Sequence, residues 1–277
     1  MLLVTGATGN VGRALVPLLV AAGQPVRVFV RDVSRVALFD GGIDVAQGDL
    51  DQPDTLRSAF DDVNRVFMLT LTPRQDANVI AAAQQAGVTT LVMLSSRYVP
   101  FGVASGPLHA PGEQVLRASG LRWTILRPAE YMSNALRWVQ AIRTQNAAFE
   151  PTGDGQTAVI DPVDIAAVAA RVLTTDGHEG RTYELTGPEA ISRAAMVADL
   201  GAALGRPLRF IDVPEVVARE RMAALGLPEA LQEPILRYYA MVKAGEAAAV
   251  TAEVERLIGH APRPFAAWVH DHRKAFE

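Results

Sequence analysis

The sequence predicts an α/β fold in which a doubly wound parallel sheet is followed by a small, mostly helical C-terminal cap. Short apolar runs alternate with helical patterns along most of the 277 residues, and the connections between them are short. The first apolar run turns through closely spaced glycines directly into a helical pattern. Beyond Gly187 the patterns become mainly helical, which marks the cap.

The glycine-rich turn at the N-terminus predicts a phosphate-binding site. Leu2 to Val4 form an apolar run typical of a strand buried on both faces, and Gly6-Ala-Thr-Gly9-Asn-Val-Gly12 then leads into a helix. Backbone N–H groups at a helix start are unpaired, and the helix dipole favours negative charge there. Strand, turn and helix in this order are typical of a dinucleotide-binding (Rossmann) fold, although an ordinary βα turn without a ligand is the alternative.

Composition excludes several classes of protein. No run reaches the roughly 20 apolar residues that span a bilayer. The chain has no cysteine, so disulfides, thiolate metal sites and cysteine nucleophiles are excluded. The net charge of −4 comes from acids and bases mixed along the chain, which argues against a nucleic-acid face. An apolar strand directly at the N-terminus leaves no room for a signal peptide, so we expect a cytoplasmic protein.

Further strands and helices complete the predicted sheet domain. Apolar runs predict strands at Pro25–Val30, Ile43–Ala46, Arg65–Leu69, Thr90–Leu94 and Arg122–Leu126. Helical periodicity predicts helices at Asn10–Ala22, Gln75–Ala86 and Gly112–Ser119. The glycine- and proline-rich stretch Arg97–Pro111 is expected to be a loop.

The second half of the chain continues the sheet and then forms the cap. Patterns predict an amphipathic segment at Ala135–Thr144, strands at Ala158–Asp161, Arg181–Leu185 and Leu208–Val213, and helices at Pro162–Thr174 and Ser192–Gly205, the last with Ser192 as its N-cap. We assign residues 1–157 to the dinucleotide-binding domain, with 158–187 contributing a strand and a helix to it. Residues 188–277 form the smaller substrate-side cap, expected over the carboxyl edge of the sheet.

The end of the second predicted strand bears on the choice of dinucleotide. In this fold that position meets the adenosine ribose, where an acid binds the 2′-hydroxyl of NAD and an arginine pairs with the 2′-phosphate of NADP. Arg31 follows the strand directly, and Arg35 lies four residues further on. We therefore predict NADP as the cofactor. The acidic residue Asp32 keeps NAD as an alternative cofactor. If no dinucleotide binds here, Arg31 and Asp32 form a solvent-exposed ion pair in a loop.

Other candidate residues also follow predicted strands at their carboxyl ends. Asp49 is expected to accept the adenine amino group, to cap the helical turn that begins at Gln52, or to do both. Thr70 and Leu71 leave the fourth strand and would run beneath the nicotinamide half, and Ser95 ends the fifth strand. Ligands bind at this edge of a doubly wound sheet, so these residues are candidate cofactor contacts.

These motifs together resemble the NmrA-like family of atypical short-chain dehydrogenases. The resemblance rests on the segments TGATGNVG at 5–12, VFVRD at 28–32, GDL at 48–50, SGLRWTILRP at 119–128, EYMSN at 130–134, IDPVDIA at 160–166 and YELTGPE at 183–189. The family includes NADPH:quinone reductases, other flavin-independent reductases and NADP-sensing regulators without known catalysis. The resemblance therefore implies the fold and the cofactor more strongly than the activity.

Site residues can be carried over from the family position by position. The resemblance implies dinucleotide contacts from the residues of the glycine-rich turn, which are Gly6, Thr8, Gly9, Asn10, Val11 and Gly12. It also implies contacts further along the cofactor, with Arg31 at the 2′-phosphate, Asp49 and Leu50 at adenine, and Thr70 and Leu71 beneath the dinucleotide. On the nicotinamide and substrate side it implies the segment from Tyr131 through Met132 to Asn134.

The Tyr-x-x-x-Lys pair of typical short-chain dehydrogenases is missing from the predicted sheet domain. In those enzymes the lysine lowers the tyrosine pKa and the tyrosine passes a proton to the carbonyl. No lysine precedes Lys243, whose formal match with Tyr239 lies in the cap and is taken as chance. By spacing from the segment 119–128, the lysine position falls on His109 and the tyrosine position on Ser105. His109 is expected to bond the nicotinamide ribose or to donate a proton, and a loop histidine without a role is the alternative.

Two functions from different classes fit these residues. The first is an NAD(P)H-dependent oxidoreductase that reduces a small apolar quinone or conjugated carbonyl, since hydride transfer to such an acceptor needs mainly proximity and a dry pocket. The second, motivated by the missing pair, is an NADP-binding redox sensor that acts through a protein partner. A tailoring enzyme with non-redox chemistry is a third possibility.

Remaining candidates concern the proton donor and the partners. Tyr98 and Tyr131 are candidate proton donors and substrate contacts, with buried aromatic packing as the alternative. His270 and His272 are two residues apart and do not share a helix face, so no metal site is predicted. A homodimer is left open, and no nucleic-acid or membrane partner is expected.

Overall fold

The computed structural model describes residues 1–39 and 41–277, which divide into two units. The first unit consists of Met1–Val99, Leu108–Pro128 and Pro162–Glu184, and the second of Pro100–Pro107, Ala129–Asp161 and Leu185–Glu277. This division differs from the assignment made on sequence, because the residues from 129 to 161 cluster with the C-terminal part rather than with the sheet.

The described residues form eleven strands and ten α-helices. The strands are β1 (Leu2–Thr5), β2 (Val26–Val30), β3 (Ile43–Gln47), β4 (Arg65–Met68), β5 (Thr90–Leu94), β6 (Arg122–Pro128), β7 (Ala147–Glu150), β8 (Gln156–Thr157), β9 (Arg181–Leu185), β10 (Ile191–Ser192) and β11 (Arg209–Asp212). The helices are α1 (Asn10–Ala21), α2 (Pro73–Gln85), α3 (Gly106–Ala118), α4 (Val139–Gln145), α5 (Pro162–Thr174), α6 (Arg193–Leu204), α7 (Glu215–Ala224), α8 (Glu229–Lys243), α9 (Glu253–Ile258) and α10 (Phe265–His272). Short 3-10 helices occur at Val33–Leu38, Pro53–Thr55, Ser58–Phe60, Val99–Phe101, Met132–Trp138 and Arg273–Ala275.

A seven-stranded sheet in the order β3-β2-β1-β4-β5-β6-β9 confirms the predicted doubly wound topology. The pairings that connect β1 to β6 are all parallel. The strand order reverses between β1 and β4, which is where ligands bind in this fold. Thr5 joins the carboxyl ends of these two strands, since its Oγ1 donates to the Leu69 carbonyl over 2.9 Å and accepts from the Leu69 N–H over 2.8 Å.

The core of the first unit explains why its strands read as continuous apolar runs. All four residues of β1 are buried, and buried aliphatic and aromatic side chains from β2, β4, β5 and β6 pack with those of α2. Strands covered on both faces lose the usual alternation of polar and apolar residues. The helix α5 packs against α1 and begins at Pro162, as predicted.

The second unit has small sheets and its own apolar core. β7 pairs in parallel with β11, and β8 pairs antiparallel with β10. Ser192 caps α6 as predicted, because its side chain accepts from the Ala195 N–H over 3.2 Å, and Gly205 ends the helix with a left-handed φ of 64°. The core contains the stacked rings of Phe265 and Trp268, whose centroids are 5.5 Å apart.

Three local expectations differ from the structure. Helix α3 begins at Gly106, so the end of the expected loop Arg97–Pro111 is helical. Its prolines suggested a loop, but Pro107 lies in the first turn, where a missing N–H costs little. Ala158–Asp161 forms an isolated bridge between Ile160 and Tyr131 rather than a strand. The strand β7 was not predicted, because its partner β11 lies about sixty residues further along the chain.

Among residues 1–39 and 41–277, no helix is both long enough and apolar enough to cross a membrane.

Candidate functional site

A cavity of about 570 Å³ lies at the carboxyl ends of β1, β2 and β4 in the first unit. It brings together eight of the predicted cofactor residues, which are Gly6, Thr8, Gly9, Arg31, Asp49, Leu50, Thr70 and Leu71. The remaining lining residues are Ala7, Phe29, Val30, Asp32, Arg35, Leu69 and Gln75. Residues that are far apart in the chain thus meet at the strand ends, where a doubly wound sheet binds its ligand.

The glycines of the turn are required by close backbone contacts. Gly6 has a left-handed φ of 65°, which disfavours any side chain. A Cβ on Gly12 would lie 2.3 Å from the Gly6 carbonyl oxygen and 2.6 Å from Ala7 Cα. Both contacts are with backbone, so the turn has no flexible side chain that could move aside. The close approach of α1 to β1 therefore depends on glycine at position 12.

The first turn of α1 fits the diphosphate of a dinucleotide. Gly9 is the N-cap and provides no side-chain hydrogen bond, and the first turn contains no acidic residue. The N–H of Arg13 donates to the Gly9 carbonyl over 2.9 Å, so the N–H groups of Asn10, Val11 and Gly12 precede the first helical hydrogen bond. The positive end of the helix dipole lies at Gly9, which lines the cavity, and this position suits negative oxygens.

Two exposed arginines line the cavity at the end of β2. Arg31 and Arg35 are both exposed, and within residues 1–39 and 41–277 neither guanidinium forms a hydrogen bond or salt bridge. Asp32, between them, has its carboxylate oxygen Oδ1 2.9 Å from the Ser34 N–H and 2.7 Å from the Ser34 hydroxyl. These hydrogen bonds lower the pKa of Asp32. The arginines are thus available to an anion, while the carboxylate is already hydrogen-bonded.

Asp49 forms a local turn rather than the helix cap that the sequence suggested. Its Oδ1 accepts from the Asp51 N–H over 3.0 Å, two residues further on. The short 3-10 helix that follows, Pro53–Thr55, begins after Gln52 without a side-chain cap, so the expectation that Asp49 caps it is wrong. The Asx turn uses one carboxylate oxygen. Acceptance of the adenine amino group by Asp49 stays a prediction.

Gln75 is a cavity residue that the sequence reasoning missed. Its Oε1 accepts from the Leu71 N–H over 2.9 Å, and its Nε2 donates to Asp51 Oδ2 over 2.8 Å. It thereby fixes the loop after β4. A signal was present, because Thr72 and Gln75 have the spacing of a capping box, and Thr72 Oγ1 does accept from the Gln75 N–H over 3.2 Å.

A buried carboxyl group lies directly behind Thr70. Asp76 is 1% exposed, and its Oδ1 accepts a hydrogen bond from the Thr70 hydroxyl. It fits against α3 because position 112 is glycine, where a Cβ would lie 2.1 Å from Asp76 Oδ2. Burial raises the pKa of Asp76 to about 6, and the hydrogen bond from Thr70 offsets only part of this effect.

Replacing Asp76 with asparagine is expected to stabilise the protein at high pH. A folded pKa of about 6, against an ordinary value of 3.8, means that the destabilisation by this carboxyl grows between about pH 4 and pH 6 and is fully present above pH 6. The gain in unfolding free energy should be about 1–3 kcal/mol at pH 8 and should disappear near pH 4. Urea unfolding across this pH range measures it. Asp61→Asn, at an exposed position, is the control, and equal effects of both changes would contradict the explanation.

Ser95 and His109 lie near one buried ion pair. The Ser95 hydroxyl donates to Glu113 Oε1 over 2.6 Å, and Arg127 donates to both oxygens of the same carboxylate over 2.8 and 2.6 Å. Burial raises the pKa of Glu113, but the hydrogen bonds from Arg127 and Ser95 outweigh it and hold the pKa below its usual range. His109 lies one turn earlier on α3. Burial lowers its pKa, and the Glu113 charge opposes that shift only in part.

The candidate substrate residues differ in exposure. Tyr98, in the first unit, is 4% exposed. In the second unit Met132 is 1% exposed and packs in the apolar core, Tyr131 is half-buried, and Asn134 is exposed. Burial raises the pKa of Tyr131, which makes its hydroxyl a weaker acid. Their roles toward substrate stay predictions.

A buried network of charges holds the segment that contains Tyr131. Arg193 is 1% exposed and donates to both Glu130 and Glu150, the latter over 2.8 Å. Arg137 bonds the same two carboxylates over 2.9 and 2.7 Å, and the Tyr238 hydroxyl donates to Glu130 over 2.7 Å. Burial raises the pKa of Glu130, but the charges of Arg193 and Arg137 outweigh it and lower the pKa overall. The network thus stabilises the ionised form of Glu130.

The formal Tyr-x-x-x-Lys match lies on α8 and has structural contacts. Tyr239 is 7% exposed, and burial raises its pKa to about 12. Lys243 Nζ lies 3.1 Å from Asp212 Oδ2, at the end of β11. A tyrosine with a raised pKa and a lysine paired with a surface carboxylate do not provide the lowered tyrosine pKa of that catalytic pair.

The doubly wound sheet, the glycine turn and the cavity define a Rossmann-type dinucleotide-binding protein. The family model described as NAD(P)H-binding matches residues 6–176. The chain is 40% identical to the (4-alkanoyl-5-oxo-2,5-dihydrofuran-3-yl)methyl phosphate reductase of Streptomyces griseus, covering 100% of this chain and 99% of the relative. It is 37% identical to the NAD(P)H azoreductase of Xenophilus azovorans, with coverages of 100% and 99%.

Solved structures agree with this placement. An NADPH-dependent quinone oxidoreductase from Escherichia coli, solved with NADPH, has a TM-score of 0.87 and 28% identity, covering 98% of this chain and 99% of that one. The chain therefore belongs to the NAD(P)H-binding family and, within it, to the NmrA-like atypical short-chain dehydrogenases that its motifs resemble. It is an NAD(P)H-dependent oxidoreductase.

Proposed function

We propose that the protein is an NADPH-dependent reductase that acts on a small apolar quinone or conjugated carbonyl compound without a Tyr-x-x-x-Lys pair. The observation that carries the cofactor preference is that the exposed guanidiniums of Arg31 and Arg35 both line the cavity edge and form no hydrogen bond or salt bridge with the residues that the structure describes. A dianionic 2′-phosphate is the group that two such arginines recognise, and NADH does not have it.

The relatives support the class of acceptor. Their names specify a 5-oxo-2,5-dihydrofuran, whose ring double bond is conjugated with its carbonyl group, an azo compound and a quinone. Each of these is an electron-poor conjugated group that takes up a hydride and a proton. NADPH supplies the hydride, and the charge left on the acceptor is spread over oxygen or nitrogen atoms that water can protonate. A strong protein acid is therefore not required, which fits a chain with no lysine before Lys243.

We assign subordinate roles to the remaining candidates. His109 is proposed to bond the ribose or to relay the proton, and its lowered pKa keeps it neutral at pH 7. Tyr98, Tyr131, Met132 and Asn134 are proposed for the substrate side. Cytoplasmic location and a homodimer stay predictions.

Purified protein tests the proposal with a panel of quinones, enones and azo compounds. We expect oxidation of NADPH with at least one acceptor, and a higher kcat/KM with NADPH than with NADH. Tight NADPH binding without turnover across the panel would contradict it. Capture of a protein partner that differs between NADP and NADPH would then favour the redox-sensor alternative.

Arg31→Ala is expected to weaken NADPH binding by about tenfold and NADH binding by much less, because one charge-assisted contact to the 2′-phosphate is lost. Titration of the protein with both nucleotides measures the two affinities. Arg57→Ala removes the same charge from an exposed position outside the cavity and should change neither. Equal losses for both nucleotides with Arg31→Ala would show that this residue does not select between them.

A further inference from the structure

The segment that follows β2 is weakly packed, with Val36 and Phe39 only partly buried. The 3-10 helix Val33–Leu38 has no buried residue. Packing therefore contributes little to its conformation, and its hydrogen bonds contribute correspondingly more. The segment nevertheless includes Arg35, which lines the cavity beside Arg31.

Asp32 provides the hydrogen bonds that start this helix. Its backbone is extended, with φ −126° and ψ 108°, and its Oδ1 accepts from both the N–H and the hydroxyl of Ser34. Its carbonyl accepts from the Arg35 N–H over 3.3 Å. Asp32 is thus the N-cap of the segment that places Arg35.

The charge of Asp32 makes its presence unexpected at a phosphate site. A carboxylate beside a 2′-phosphate opposes the binding of NADPH electrostatically. The Ser34 hydrogen bonds fix the direction of the carboxylate through Oδ1 and leave only Oδ2 to accept from a 2′-hydroxyl of NAD. Capping explains the residue better than recognition of the ribose does.

We propose that Asp32 is a positioning residue for NADPH selectivity, holding Arg35 beside Arg31 for the 2′-phosphate by capping the helix Val33–Leu38. This inference rests on the proposed preference for NADPH. The ligand group is a phosphate monoester on the adenosine ribose, and Asp32 acts on it only through Arg35.

Two substitutions at position 32 separate capping from charge. Asp32→Ser and Asp32→Ala remove the same negative charge, but serine retains an oxygen that can cap and alanine does not. We expect the KM for NADPH to be about fivefold higher in Asp32→Ala than in Asp32→Ser, the size of a lost cap. The KM for NADH should differ less than about twofold between them, because no 2′-phosphate is involved. Calorimetric titration with adenosine 2′,5′-bisphosphate, which needs no turnover, should give dissociation constants in the same roughly fivefold ratio for Asp32→Ala and Asp32→Ser.

The same comparison in an Arg35→Ala background shows whether the effect passes through Arg35. Without that guanidinium, Asp32→Ser and Asp32→Ala should have equal KM values for NADPH. A persisting fivefold difference, or no difference in the original background, overturns the inference while leaving the proposed function intact. Parallel losses for NADH in both variants would show that Asp32 binds the ribose hydroxyl. If the unmodified protein has no preference for NADPH, the proposed cofactor preference fails and this inference fails with it.

Discussion

Replacing Arg193 with methionine is expected to lower the free energy of unfolding by about 3–5 kcal/mol, because it leaves two buried carboxylates without their main counter-charge. Arg193 is 1% exposed and bonds Glu130 and Glu150, whose side chains are 5% and 4% exposed. Arg137 alone cannot compensate, since it is 37% exposed and already bonds both. Urea unfolding at neutral pH measures the loss.

Arg219 provides a matched control for this experiment. It also bridges two glutamates, Glu215 and Glu233, with both distances at 3.1 Å, but its side chain is 39% exposed and theirs are 60% and 54% exposed. Arg219→Met should therefore cost less than about 1 kcal/mol, since exposed ion pairs contribute little. Similar losses for Arg193→Met and Arg219→Met would contradict the view that burial makes the network important.

Replacing Gly12 with alanine is expected to abolish measurable dinucleotide binding and to lower the free energy of unfolding by about 2–4 kcal/mol. The added Cβ would overlap the Gly6 carbonyl oxygen at 2.3 Å and Ala7 Cα at 2.6 Å. Relieving that contact moves α1 away from the turn, and the N–H groups proposed to bind the diphosphate move with it. Calorimetry with NADPH and thermal unfolding measure the two effects.

Gly9→Ala separates the two consequences of adding a methyl group to this turn. Gly9 has an ordinary φ of −84°, and its Cβ would meet only the Gly6 carbonyl oxygen at 3.3 Å. It should cost less than about 1 kcal/mol of stability while still weakening NADPH binding at the cavity wall. A Gly12→Ala protein with unchanged melting temperature and affinity would show that the turn does not hold the cofactor.

Local signals in the sequence were sufficient to predict that residues of the glycine turn and the end of β2 line one cavity. The apolar strand, the glycine spacing and the arginine after β2 are all short-range features, and the structure places Gly6, Gly9 and Arg31 around one cavity. Gln75 was missed although its capping-box spacing with Thr72 is visible in the sequence. The helical start of α3 was missed because prolines were taken as loop residues.

The amino-acid sequence by itself determined the order of strands and helices in the seven-stranded sheet, its doubly wound topology and the family, because burial on both faces and tight βα turns leave local patterns. Only the tertiary structure decided that Asp76 is buried behind Thr70 and against Gly112, and that Ala129–Asp161 joins the C-terminal unit. The direction of a carboxylate and the pairing of distant strands depend on groups brought together by folding, and no neighbouring residue in the chain specifies them.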